Sequence, residues 1–147
     1  MIIKSLVLGE VSAENLEHLQ ELDESYFPFP WSEQLWERAR LNKDYFAFFD
    51  PQCHGFAIFL LSPLDKLAHL TKIVVNPKFR KKGYGAAILN ASHSHFRVLG
   101  IERCILEVEV GNRSAIALYE RHDYKKIHLK KNFYSNGADA HIMEKHL

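Results

Sequence analysis

Apolar residues along the chain keep two rhythms, and the switches between them mark its elements. Residues 2–8 alternate as a first strand. Ser12 has the chemistry of an N-cap for a helix that carries Leu16, Leu19 and Leu22 on one face. Phe27-Pro28-Phe29-Pro30 breaks that helix, and Trp31-Ser32-Glu33 begins a second one running to about Leu41. Residues 45–49 and 56–61 predict two strands joined around Asp50-Pro51, and residues 67–75 predict the next. A basic, glycine-containing turn then leads into a helix after Gly85 that runs to about Leu99, with Gly100 as its stop. Residues 101–110 read as a strand, 112 to about 122 as a helix, and 124–129 and 140–143 as closing strands. The expected architecture is a mixed α/β domain with a central sheet. No linker, repeat or low-complexity stretch divides residues 1–147.

Composition narrows the class without naming a function. A chain of 147 residues can bury a real core, and 47% hydrophobic with 25% charged residues is ordinary for a soluble globular protein. A net charge of +1 excludes a polycation built to hold nucleic acid, so any basic effect must be local. Cys53 and Cys104 are the only cysteines, which fits reduced thiols in a cytoplasm better than a disulfide scaffold. The N-terminus lacks a long apolar run, and no stretch approaches the ~20 apolar residues of a spanning helix. A cytoplasmic location with no membrane partner is expected.

The segment V-V-N-P-K-F-R-K-K-G-Y-G-A, residues 74–86, carries the strongest chemical signal. A strand that delivers glycines and positive charge to a helix N-terminus makes an anion site. Free backbone N–H groups face the ligand, the helix dipole favours negative charge, and glycine permits close approach. A phosphate or pyrophosphate is the expected ligand. The segment fits neither common nucleotide fingerprint: no G-x-x-x-x-G-K-[ST] run is present, and G-x-G-x-x-G fails at Ile88. A solvated basic loop is the alternative.

Two further segments offer acid–base groups. On the strand at 101–110, Cys104, Leu106, Val108 and Val110 share one face, and Arg103, Ile105, Glu107 and Glu109 share the other. A mid-strand carboxylate on a half-buried surface can accept a proton, although both glutamates could equally face water. Asn112 stands where strand gives way to helix, a favoured cap position, and Tyr119 follows two turns along the same face. A tyrosine hydroxyl can donate a proton, or the ring can serve the core. The nine histidines are scattered; His93 and His95 point different ways on one helix, so no metal site is expected. Cys104 reads as core, and Lys125-Lys126 and Lys130-Lys131 as a solvated face.

Taken in order, these segments resemble a known family. V-V-N-P-K-F-R-K-K-G-Y-G-A-A-I-L resembles the acetyl-CoA-binding motif of the GNAT superfamily of N-acetyltransferases, and L-E-V-E-V-G-N-R-S-A-I-A-L-Y-E-R-H-D-Y resembles its second half. Phe29-Pro30-Trp31-Ser32-Glu33 and the stretch from Lys131 to Met143 are similar to the bacterial RimI-type enzymes, which acetylate the N-terminal alanine of a small-subunit ribosomal protein. The resemblance covers the chain from about Phe29 to Met143. It implies one GNAT-like domain over residues 1–147, with a mostly antiparallel sheet containing a splayed parallel pair. Acetyl-CoA would be the co-substrate, with no metal. Ile73, Val74 and Val75 would pair with the pantetheine arm, while Arg80, Lys81, Lys82, Gly83, Tyr84, Gly85 and Ala86 would wrap the pyrophosphate. Asn112 would touch CoA, Glu107 would be the general base, and Tyr119 the general acid for the departing thiolate. Trp31 and Tyr134 would line the acceptor groove.

The chain also departs from the RimI pattern. Glu109 and Gly111 stand where those enzymes usually carry an arginine and a small polar residue, and Ala138-Asp139 where an acidic pair is common. These positions bear on the acceptor, so the expected function is direct acetyl transfer to a primary amine, foremost a protein N-terminal alanine. A small-molecule amine, or a catalytically silent binding module, is the alternative.

Overall fold

Seven strands form one sheet in the computed structural model, which describes all 147 residues: β1 (Lys4–Val7), β2 (Tyr45–Phe49), β3 (Gly55–Ser62), β4 (Leu67–Val75), β5 (Arg103–Glu109), β6 (Lys125–Lys130) and β7 (Ala140–His146). Their order is β1-β2-β3-β4-β5-β7-β6, and only β4 and β5 run parallel. The helices are α1 (Ala13–Tyr26), α2 (Glu33–Leu41), α3 (Tyr84–Val98) and α4 (Arg113–Arg121). The mixed sheet with a parallel pair matches the expected fold class.

Local chemistry explains where elements begin and stop. Ser12 and Ser32 cap α1 and α2, each Oγ accepting a backbone N–H, from Asn15 and Leu35 respectively, at 3.2 Å. Because Ser32 is the cap, Trp31 lies outside α2 and not at its start. α3 starts one residue before Gly85, since Gly83, at φ 87°, takes the cap position. β1 is shorter than residues 2–8, because only Lys4–Val7 find partners on β2. β5 ends at Glu109, so Val110 is exposed and does not continue the buried face. β7 runs past Met143 to His146, because β5 offers partners along its whole length.

The sheet separates two apolar layers. Ala68, Leu70, Cys104, Leu106 and Val108 pack with Ile88, Phe96, Ile116 and Tyr119 of α3 and α4. Phe56, Ile58 and Val74 pack on the other side with Leu19, Leu22 and Trp36 of α1 and α2. β4 contributes to both layers because it carries a bulge. Ile58 pairs with Lys72 and Phe59 with Leu70, so Thr71 is the extra residue, and its Oγ1 donates to Ile58 O at 2.8 Å. Before the bulge alternate residues of β4 face α3 and α4; after it Lys72 and Val74 face α1 and α2. Parallel pairing with β5 is confined to Leu67–His69 against Arg103–Ile105. Beyond that the strands splay, and the edge of β4 from Leu70 to Val75 has no strand beside it.

Candidate active site

The gap between β4 and β5 opens toward the N-termini of α3 and α4, and its two walls are built differently. On the β4 wall, Ile73, Val74 and Val75 are held by β3 on one edge, opposite Ala57, Phe56 and Gly55. Their other edge faces the gap. The chain then turns through a short helical stretch, Pro77–Phe79, capped by Asn76 Oδ1 accepting the Lys78 N–H at 3.0 Å. Arg80 Nε donates to Val75 O at 3.1 Å, tethering the guanidinium over the end of β4. Left-handed backbone at Lys81 (φ 61°) and Gly83 (φ 87°) curls successive N–H groups into a concavity of the kind that holds anions. A Cβ on Gly83 would meet nothing within 4 Å, so the space before α3 is open. Gly85 serves packing instead, since its Cβ would approach Leu118 Cδ2 to 3.2 Å.

A buried network supports this loop from below. Tyr84 Oη lies 2.8 Å from His54 Nδ1, which is also 3.1 Å from Asp50 Oδ2. The His54 ring stacks on Phe79 at 3.7 Å. The other Asp50 oxygen accepts the Gly55 N–H at 3.0 Å. The exposed Lys81 and Lys82, with the Arg80 guanidinium, thus surround free N–H groups of a helix start. Charge, open space and donors all fit a pyrophosphate.

Glu107 and Tyr119 lie on opposite faces of the sheet. Glu107 alternates with Leu106 and Val108, which belong to the α3–α4 layer, so its carboxylate faces the α1–α2 side. There His69 Nε2 sits 2.6 Å from Glu107 Oε2. Tyr119 lies in the α3–α4 layer, 5% exposed. Burial, then the neighbouring Tyr134, pushes its hydroxyl pKa well above the usual tyrosine value, so the group keeps its proton at neutral pH. Asn112 caps α4, its Oδ1 accepting the Ala115 N–H at 3.2 Å, which leaves its amide NH2 to face outward.

The wall on the α1–α2 side is assembled from distant segments. Tyr134, in the β6–β7 loop, stacks on Phe29 of the α1–α2 loop with ring centroids 5.3 Å apart and planes 5° from parallel. Burial, with Glu107 and Glu109 nearby, raises the Tyr134 pKa to about 12. Beneath this contact, Lys72 Nζ donates to Asp23 Oδ1 at 2.6 Å, with both side chains buried. Lys72 Nζ also lies 4.7 Å from the Phe27 ring centroid and 4.3 Å from that of Trp31. Asp23 Oδ2 accepts the Trp31 N–H at 2.9 Å. Burial lowers the Lys72 pKa, and the Asp23 hydrogen bond and charge oppose that shift. Trp31 is therefore one wall of a cage around Lys72 that fixes the α1–α2 loop.

Of the residues the sequence singles out, Ile73 to Ala86 run consecutively along the β4–α3 side, Tyr134 lies near Glu107 and Tyr119, Asn112 caps α4, and Trp31 packs on Lys72. His69, Lys72, Asp23 and His54 were not singled out, and Phe29 only as part of a motif, with no contact to Tyr134 expected. Lys72 did leave a trace, a lysine inside the apolar run of β4. His69 left none, because its face depends on where the bulge falls. No three His, Cys, Asp or Glu side chains converge to hold a metal ion, and no helix is long and apolar enough to cross a membrane.

Comparison with known proteins places this geometry in context. A family model described as the acetyltransferase (GNAT) family matches residues 16–124. An N-alpha-acetyltransferase of Saccharolobus solfataricus is 36% identical over 88 residues, 59% of this chain and 53% of that protein, so the match spans about half of that relative's length. The ribosomal protein bS18-alanine N-acetyltransferase of Escherichia coli is 28% identical over 141 residues, covering 92% of this chain and 94% of that one. The crystal structure of the Escherichia coli ribosomal-protein-S18-alanine N-acetyltransferase superposes with a TM-score of 0.82 at 25% identity, over 99% of this chain and 94% of that one.

Proposed function

The chain belongs to the acetyltransferase (GNAT) family, and from that premise we propose an acetyl-CoA-dependent N-acetyltransferase whose acceptor is a protein N-terminal amine, alanine first. Residues 1–147 would act as one catalytic domain. The observation that carries the reading is the placement of Glu107 and Tyr119 on opposite faces of the sheet, beside the gap between β4 and β5. Acetyl-CoA supplies an activated acyl group. Arg80, Lys81, Lys82 and the N–H groups from Gly83 to Ala86 hold its pyrophosphate, and the free edge of Ile73–Val75 pairs with its amide-bearing arm. Asn112 offers an amide NH2 to the same ligand.

An amine must lose its proton before it attacks. Glu107 takes that proton on the α1–α2 face, and His69, hydrogen-bonded to the same carboxylate, holds it in place. The C–N bond forms as the C–S bond breaks, and Tyr119, still protonated, gives its proton to the sulfur on the opposite face. Acid and base therefore never compete for the same proton. Trp31, Phe29 and Tyr134 shape the entry for the acceptor. The names of the relatives, an N-alpha-acetyltransferase in Saccharolobus and a ribosomal protein bS18-alanine N-acetyltransferase in Escherichia, support an N-terminus as acceptor.

One feature favours a second acceptor class. Glu109 is exposed beside Tyr134 and adds negative charge at the mouth, which suits a small polycationic amine. A thiol-release assay with acetyl-CoA, run across peptides of varied first residue and a set of small amines, separates the two. Turnover with alanine-first peptides supports the proposal. Turnover confined to small amines replaces the acceptor, and none with either leaves a binding module.

A further inference from the structure

A second polar pocket lies at the opposite end of α3 and α4 from the pyrophosphate loop. Asn90, His93, Ser94 and Arg97 of α3, Arg121 at the end of α4, the following His122 and Asp123, and Lys145 of β7 enclose about 480 Å³ with no hydrophobic side chain among them. Three fixed positive charges face one carboxylate, a surplus of two. Arg97 and Arg121 sit in last helical turns, where cations offset the negative end of the dipole, and that alone would account for them.

It does not account for Lys145. This side chain stands on a strand and is 9% exposed, yet its Nζ has no hydrogen bond; the nearest carboxylate, of Asp123, is 3.7 Å away. That ion pair is too long for a hydrogen bond, so the donors of the ammonium stay open to a ligand. Asp123 answers only one of the three positive charges, and does so from a side chain that is 87% exposed. His93 points the same way. It is 2% exposed, its Nε2 lies 2.8 Å from Tyr124 Oη, and its Nδ1 has no protein partner. Burial, with Lys145, His122 and Arg97 nearby, lowers its pKa to about 3, so it stays a neutral hydrogen-bonding ring. His122 bonds Leu118 O through Nδ1 at 2.9 Å, leaving its Nε2 free.

We propose that this pocket binds a phosphate dianion, free or as the ester of a small polar molecule, at a site separate from the acetyl-transfer centre. A dianion cancels the surplus of two charges, whereas a single carboxylate leaves one uncancelled. Tetrahedral oxygens can meet donors arriving from a strand and two helices at once. The lack of apolar lining argues against a nucleobase or an acyl chain.

The test is a titration of the full chain with inorganic phosphate and, separately, with glycerol 3-phosphate, followed by backbone amide NMR. Ionic strength is fixed with sodium chloride, and each series is run with and without excess acetyl-CoA. The expected result is saturable shifts at Asn90, Arg97, His122 and Asp123 that persist with acetyl-CoA present. Tighter binding of the glycerol ester identifies an ester as the ligand, and tighter binding of inorganic phosphate identifies the free ion. Lys145→Met should weaken binding about tenfold, as loss of one charged hydrogen bond implies. Arg97→Ala, at an exposed position that folding does not need, should weaken it in the same direction. Asp123→Asn should tighten it about threefold by removing an exposed negative charge; Asn suits the left-handed backbone there (φ 67°). Absence of saturable shifts at these residues, or variants that bind as the parent does, overturns the proposal. So does loss of the shifts on adding acetyl-CoA, which would assign the pocket to that ligand. No acceptor is present, so failure here leaves the transferase reading untouched.

Discussion

The two walls of the gap differ in how the chain makes them. The β4–α3 wall comes from residues 73–86, consecutive in sequence, and works through backbone: a free strand edge, left-handed turns at Lys81 and Gly83, and the start of α3. The side toward α1 and α2 is made of side-chain pairs between remote segments, two of them anchored on β4 itself. His69 meets Glu107 across 38 positions, Asp23 meets Lys72 across 49, and Phe29 meets Tyr134 from loops at either end of the chain. A phosphate-bearing ligand common to many enzymes can be held by a compact local device. An acceptor that varies between enzymes is met by surfaces that separate segments can alter independently. Damage to the first wall should therefore appear in CoA affinity, and damage to the second in acceptor use or stability.

The largest effect is expected at the buried pair. Asp23→Ala leaves Lys72 charged and unpaired, and should lower unfolding free energy by about 3–5 kcal/mol in denaturant titrations. The double change Asp23→Leu with Lys72→Met should recover most of that loss; if it does not, the pair does more than hold the loop. Glu107→Gln comes next, with kcat/KM for thiol release falling about 10²–10⁴-fold and CoA affinity unchanged. Gly83→Val tests the other wall. The left-handed backbone makes a side chain there cost about 1–2 kcal/mol, and CoA binding, read by calorimetry, should weaken while acceptor KM holds. The smallest effect is Phe29→Ala. Losing the stack with Tyr134 should cost about 0.5–1.5 kcal/mol and raise acceptor KM without moving CoA affinity. An equal change in both constants would mean that the two walls are not independent.

The same contrast explains what could be read from the chain alone. Ser12, Ser32 and Asn112 act on their own next turn, so caps and helices were legible to within two residues. The basic glycine turn was legible because all its parts are contiguous. The acceptor side was not. The bulge at Thr71 reverses which residues of β4 face α1 and α2, and alternation gives no warning of it. His69 and Lys72 therefore lie on the side that holds Glu107 and Asp23 for a reason that appears only once β3 and β4 pair. Phe29 and Tyr134 meet only because β7 inserts between β5 and β6, a topology that local pattern does not encode.

If proton acceptance and proton donation are divided between the two faces of the sheet, Tyr119→Phe removes the donor and leaves the acceptor. Thiol release and acetyl-CoA affinity would be measured on the same preparation with a saturating acceptor. The expected outcome is that kcat falls by about 10²-fold or more while affinity stays within about twofold, because only the proton is lost. Affinity and rate falling together would make Tyr119 a packing residue and rule out the division.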